Sequence, residues 1–237
     1  MTTILRPLPA DLVMDPGTHR PGNKMSLLEM TTWRVGESWT DHPATACPVL
    51  AAFGIALWDR WPGADLARLA PYHEKLIGTR STPEVERRRA FRAADWAVRR
   101  FAVEALRAAG LEAEAVKLQE LSPIVDADTA SAAAAAAEAA WAAAAWAAAA
   151  AAAWAAAAAA WAAEAAWAAA AWAAAAEAAW AAAAWAAAAW AAWAWAAWAE
   201  AARAAAREAA EAAEATAIWD LALLCFDDLL SIGEASA

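Results

Sequence analysis

The 237 residues suit one or two domains, and the 63% hydrophobic content supplies a large core and excludes a disordered chain. The formal charge of −10 is uneven: residues 1–130 carry sixteen Lys/Arg against seventeen Asp/Glu, whereas residues 131–237 carry only Arg203 and Arg207 against eleven acids. The acidic second half opposes binding to nucleic acid or to an anionic membrane, and the two distant cysteines, Cys47 and Cys225, form no disulfide framework and read as free thiols of a cytoplasmic protein. Residues 1–25 hold Asp11 and Asp15 and no apolar run, so they are expected to be a Pro-rich extended arm and no signal peptide.

A helical domain is expected over residues 26–128. It opens with Ser-Leu-Leu-Glu at Ser26–Glu29, a capping-box pattern, and the first helix should stop at Gly36. Pro48 fits the first turn of a second helix that ends before Pro62. One or two short helices around Pro71 should end at Gly78. The segment from Ser81 to Gly110 is the clearest helix: Ser81 or Thr82 caps it, and Phe91, Ala94, Val98, Phe101 and Ala105 form one apolar seam. A shorter helix precedes Pro123, and Asp128 or Thr129 is expected to cap the Ala-rich helix beyond it. No stretch alternates in strand fashion, so the fold class is all-α.

Residues 129–216 form an Ala/Trp low-complexity tract. Twelve of the eighteen tryptophans lie between Trp141 and Trp198, and residues 130–217 contain no glycine or proline. Alanine has the highest helix propensity, so the tract reads as helical. As one straight helix, about 80 residues would reach roughly 120 Å. On a helical wheel Trp146, Trp154, Trp161, Trp172, Trp190 and Trp193 share one arc, while the other six scatter. The tract is therefore either one bent helix buried on several sides or a hairpin or bundle of two to three helices. Burying an indole is worth up to about 4–6 kcal/mol, so the rings are expected to pack within the chain or against a second copy. Trp146, Trp154, Trp161, Trp172 and Trp190 are the expected packing stripe. Residues 139–163 and 178–199 lack charge and are long enough to span a bilayer, but their tryptophans form no interfacial belts and basic flanks are scarce. Residues 217–237 complete the chain as an amphipathic helix, with Trp219, Leu223, Phe226 and Leu230 at helical spacing, expected to dock back on the N-terminal domain.

Glu29, Glu37, Asp41, His42 and Cys47 form the richest polar cluster and are the candidate catalytic or metal-ligating residues. No established metal spacing, phosphate loop or nucleophile motif accompanies them. Each has a structural alternative: Glu29 as a cap, Asp41-His42-Pro43 as turn chemistry, Cys47 as a small apolar residue. His19 and His73 read as surface residues without partners. Arg87, Arg88, Arg89, Arg92, Arg99, Arg100 and Arg107 could form a phosphate patch, but Glu84, Glu86, Asp95 and Glu104 offset it, so a solvated face or one docked on C-terminal acids is expected.

The segments LLEMTTWRVGESWTDHPATACPVLAAFGIALWDRWP, LIGTRSTPEVERRRAFRAADWAVRRFA and WDLALLCFDDLLSI resemble a family of uncharacterised actinobacterial and phage proteins. Its members share the GE, DHP and PVL elements, an LIGTR-like turn, an AADW.VR helix and an Ala-rich tract. The resemblance implies a helical fold and brings no activity. The sequence thus leads to a non-catalytic, soluble helical structural or interaction protein without cofactors, its tract packing internally or driving self-association. The alternatives are an enzyme or metal-binding protein using Glu29, Glu37, Asp41 and His42, and a membrane-associated helical hairpin.

Overall fold

A computed structural model describes residues 5–17, 19–59, 63–108, 110–146 and 211–233. These residues are mostly helical. Most of the Ala/Trp tract, including Trp154, Trp161, Trp172 and Trp190, lies outside them, as do the indole of Trp146 and most of both uncharged stretches.

Helix α1 (Leu27–Val35) starts where the capping box puts it. The Ser26 hydroxyl accepts from the Glu29 N–H and Glu29 Oε2 accepts from the Ser26 N–H at 2.8 Å. Gly36, left-handed at φ 75°, closes it. Helix α2 (Pro48–Trp58) is apolar all round and correspondingly central, with only Ile55 not fully buried. It packs against α1, α4 and the C-terminal helix. A 3₁₀ segment (Gly63–Arg68) and the single turn α3 (Tyr72–Lys75) lead to α4 (Pro83–Trp96), capped by Thr82.

Beyond α4 the helix passes through a π turn (Ala97–Phe101) into α5 (Ala102–Ala108). The unbroken helix expected from the sequence is thus interrupted once. A π turn takes an extra residue per turn, and here Ala97, Val98, Phe101, Ala102 and Val103 are all buried. The five seam residues are buried as well. Helix α6 (Glu112–Gln119) turns back on α5, and α7 (Ala127–Trp146) lies against α6 and the π turn. Its buried residues, Ala130, Ala133, Ala134, Ala137 and Ala140, make a stripe of methyl groups. The cap of α7 sits earlier than expected. Asp126 Oδ1 accepts from the Thr129 N–H at 2.9 Å while Thr129 Oγ1 accepts from the Asp126 N–H at 3.1 Å. Thr129 therefore takes the reciprocal place that Glu takes in a capping box.

Helix α8 (Glu211–Ser231) returns to the body. Trp219, Ala222, Cys225, Phe226, Leu229 and Leu230 are buried, and the Phe226 ring meets Phe53 edge-on at 5.4 Å and stacks on Tyr72 at 4.7 Å. Gly54 permits this approach: a Cβ there would lie 3.1 Å from Leu27 Cδ2 and 3.3 Å from Phe226 Cζ. Gly54→Ala is therefore expected to lower stability by about 1–3 kcal/mol through overpacking, read by denaturant unfolding, although alanine is the better helix former.

The N-terminal arm is a strap folded onto the body and not a free extension. Two short strands, β1 (Val13–Met14) and β2 (Lys24–Met25), pair in parallel within it. Two residues each are too short for alternation to mark them in the sequence. Three indoles hold the strap by donating to its backbone carbonyls: Trp33 to Pro7 at 2.9 Å, Trp58 to Asp15 at 2.8 Å and Trp39 to His19 at 2.8 Å. Among the described residues no helix is long and apolar enough to cross a membrane.

Candidate functional site

Glu29 is fully buried at the start of α1. Its carboxylate accepts from the Ser26 N–H at 2.8 Å and the His19 N–H at 2.6 Å, and lies 2.9 Å from His19 Nδ1. The other ring nitrogen, Nε2, lies 3.3 Å from Asp15, whose carboxylate also accepts from Lys24 at 3.2 Å. Lys24 and, after it, His19 hold the Asp15 carboxyl below its ordinary range, against a desolvation that works the other way. The expectation that His19 is a partnerless surface residue is corrected here. Its side chain is 14% exposed because the turn through Pro16 and Gly17 folds it against α1. The arrangement fastens the strap to the first turn of α1.

The remaining sequence candidates have other partners. Glu37 accepts from the Ala44 N–H at 2.8 Å and the Thr45 N–H at 3.0 Å, organising the turn before α2. Asp41 and His42 pair with each other, and the His42 side chain is 54% exposed. Cys47 is buried with its N–H on Thr79 Oγ1 at 3.0 Å, and burial pushes its thiol pKa up, away from the reactive thiolate. His73, also expected at the surface, is buried. Its Nδ1 meets the Ala70 carbonyl, and desolvation lowers its pKa and keeps it neutral. Among the described residues no group of three His, Cys, Asp or Glu is placed to hold a metal ion. A cleft between the strap and α2, bordered by Gly17, Ser26, Asp41, Ile55, Trp58 and Asp59, encloses about 220 Å³ including its mouth. Ligand pockets run at about 300–1,000 Å³, and Asp59 is engaged by the Gly17 N–H at 2.9 Å.

The more extensive polar constellation is the clasp around α8. Three of its acids meet three cations of the body: Asp220 with Arg68, Asp227 with Lys75 at 2.7 Å, and Asp228 with Arg92 at 2.6 Å. The Trp96 indole donates to the same Asp228 oxygen at 2.6 Å. Arg89, buried, bridges the Thr79 carbonyl at 2.6 Å and the Ile232 carbonyl at 2.8 Å and 3.1 Å. Arg92 and Arg99 share Asp95, which also accepts from the Ile124 N–H at 3.0 Å. Arg107 meets Glu104, Glu112 and Gln119. Most of the arginines noted in the sequence are thus internal fasteners, and Arg87, Arg88 and Arg100 stay exposed. The docking of the arginine face on C-terminal acids is seen at Arg92 and Asp228, but Arg68 and Lys75 and the individual acids they meet do not stand out in the sequence, since nothing local names partners so distant.

Burial opposes ionisation of Asp228, yet Arg92 and Trp96 hold its carboxyl below the ordinary range. A depressed carboxyl pKa contributes stability above the unfolded value of about 4, and that contribution is lost as pH falls through the lower folded value. Asp228→Asn should therefore show a shallower loss of stability below about pH 4, measured as the urea midpoint against pH.

No family model, curated protein or solved structure matches this chain.

Proposed function

We propose that this chain is a non-catalytic structural or interaction protein in which a helical body holds both ends of an Ala/Trp tract. The observation carrying this reading is the anchoring of the two flanking helices. α7 leads into the tract from a methyl stripe against α6 and the π turn, and α8 leads out of it onto α2 and α4, its three acids clasping Arg68 of the 3₁₀ segment, Lys75 of α3 and Arg92 of α4. Such a body presents the tract for packing within the chain or against another copy. The buried polar groups support this reading, because they fasten elements together: Glu29 the strap, Asp95 the segment leading into α7, Arg89 the end of α8. Two buried free thiols suit a reducing cytoplasm.

The test is replacement of Trp146, Trp154, Trp161, Trp172 and Trp190 together by alanine. The variant should melt at lower temperature or lose self-association, read by calorimetry and by light scattering after size exclusion. An unchanged melting temperature together with an unchanged mass would remove the tract from the proposal.

A further inference from the structure

His19 meets a carboxylate with each ring nitrogen. Nδ1 lies 2.9 Å from Glu29 Oε2, and Nε2 lies 3.3 Å from Asp15 Oδ2. An ionised carboxylate only accepts hydrogen bonds, and a neutral imidazole carries one N–H. Both contacts are hydrogen bonds only when the ring is an imidazolium, which carries two. The two acids are unequal. The Glu29 side chain is 0% exposed and also accepts from the Ser26 and His19 N–H groups, whereas that of Asp15 is 38% exposed and shared with Lys24. A ring left with one proton therefore keeps it on Nδ1, because a buried carboxylate without its donor costs more than an exposed one. The lone pair of Nε2 then faces the Asp15 carboxylate, and repulsion replaces the bond.

Asp15 begins the turn that walls the cleft beside α2. Its carbonyl accepts from the buried Trp58 indole at 2.8 Å, its N–H donates to the Met25 carbonyl at 3.2 Å, and the Gly17 N–H donates to Asp59 at 2.9 Å. Gly17 and Trp58 both border that cleft. The charged groups facing the ring are Asp15 and, behind it, Lys24 from the strap, and Glu29 from α1. Arg20, next along the strap, is exposed. The turn before α2 brings the uncharged Trp39 indole onto the His19 carbonyl, while its Asp41 and His42 pair with each other. Histidine is the side chain whose charge ordinarily changes in the physiological range.

We propose that His19 is a proton-dependent latch: as the imidazolium it ties the Asp15 turn of the strap to the first turn of α1, and on losing a proton it frees that turn and widens the cleft over Trp58. The latch holds on the acid side and opens as pH rises, the direction for a histidine whose partners favour the charged ring.

The test uses the full-length chain from about pH 5 to about pH 9, the range that brackets histidine titration. Nitrogen-15 spectra of the three histidine rings, assigned by His19→Gln and His42→Gln, count the protons on each. Amide exchange, corrected for its intrinsic pH dependence, compares residues 13–25 with residues 48–58. His19 should pass from two ring protons to one. Over the same range the protection of 13–25 should fall about two- to five-fold relative to 48–58, the scale of one partly exposed ion pair. His42→Gln should keep that fall and His19→Gln should abolish it. Asp15→Asn, at a partly exposed position that leaves Glu29 untouched, should abolish it too, since an amide can meet Nε2 as acceptor or donor. It serves as the second variant should His19→Gln not fold. A His19 ring with a constant number of protons over the range overturns the proposal. So does a ring that titrates while the protection ratio stays flat, or a fall that persists in Asp15→Asn.

Discussion

Phe226→Ala should lower the unfolding free energy by about 3–5 kcal/mol, the range for removing a fully buried phenyl ring. The ring is 0% exposed, and it touches two aromatic side chains from two different elements. Alanine would leave a cavity that the site closes poorly. Phe53 and Tyr72 belong to α2 and α3, and α1 already sits so close to α2 that a methyl group on Gly54 would meet Leu27 Cδ2 at 3.1 Å. Phe226→Leu, which keeps most of the volume, should lose much less. Denaturant unfolding of the two variants measures the difference. A loss below about 1 kcal/mol for the alanine variant would mean that α8 is not part of the cooperative core, because buried Phe→Ala changes rarely cost so little.

Glu29→Ala should cost a comparable amount, about 3–5 kcal/mol, for a different reason. The carboxylate is the N3 half of the capping box and the acceptor for the His19 N–H and, through the other carboxylate oxygen, the His19 ring. Without it, buried donors lose their acceptor at about 1–3 kcal/mol each, and the reciprocal half of the cap is lost. Glu29→Gln keeps one acceptor oxygen but turns an amide N–H₂ toward other donors, so it should fall between wild type and alanine. The effect should concentrate on the strap. Limited proteolysis should cut residues 5–25 faster in the alanine variant while the body stays whole. If cleavage and unfolding are both unchanged, Glu29 is not the fastening and the strap is held by its other contacts, the three indole bonds and the Gly17 N–H on Asp59 among them.

These two sites show what could be read in advance. The helix starts at Ser26 and Thr82 and the stop at Gly36 follow from groups within four residues of one another, so local chemistry reveals them. The apolar seam from Phe91 to Ala105 and the stripe on α8 follow from periodicity. The role of Glu29 as a cap was legible, but its link to His19 was not, because a non-helical turn brings the two together across ten residues. The same holds for Arg92 and Asp228, which are 136 residues apart. Like charges on one helix show a face, and only the tertiary fold supplies the partner. The π turn left no mark either, since alanine and valine suit both helix types there. The shift of the α7 cap from Asp128 or Thr129 to Asp126 shows the limit of a local rule: Thr129 is a capping residue, but at the third helical position instead of the cap. The tryptophan stripe falls outside the described residues and stands as a proposal.

Helix α8 and the N-terminal helices must form one cooperative body if that body is to hold both ends of the tract. Amide hydrogen exchange across residues 219–232 measures this most directly. The expected result is protection comparable to that of α2 and of the helix through Phe101, all lost together on unfolding. Exchange of 219–232 at the rate of a free peptide, while residues 48–58 and 83–106 stay protected, would contradict it.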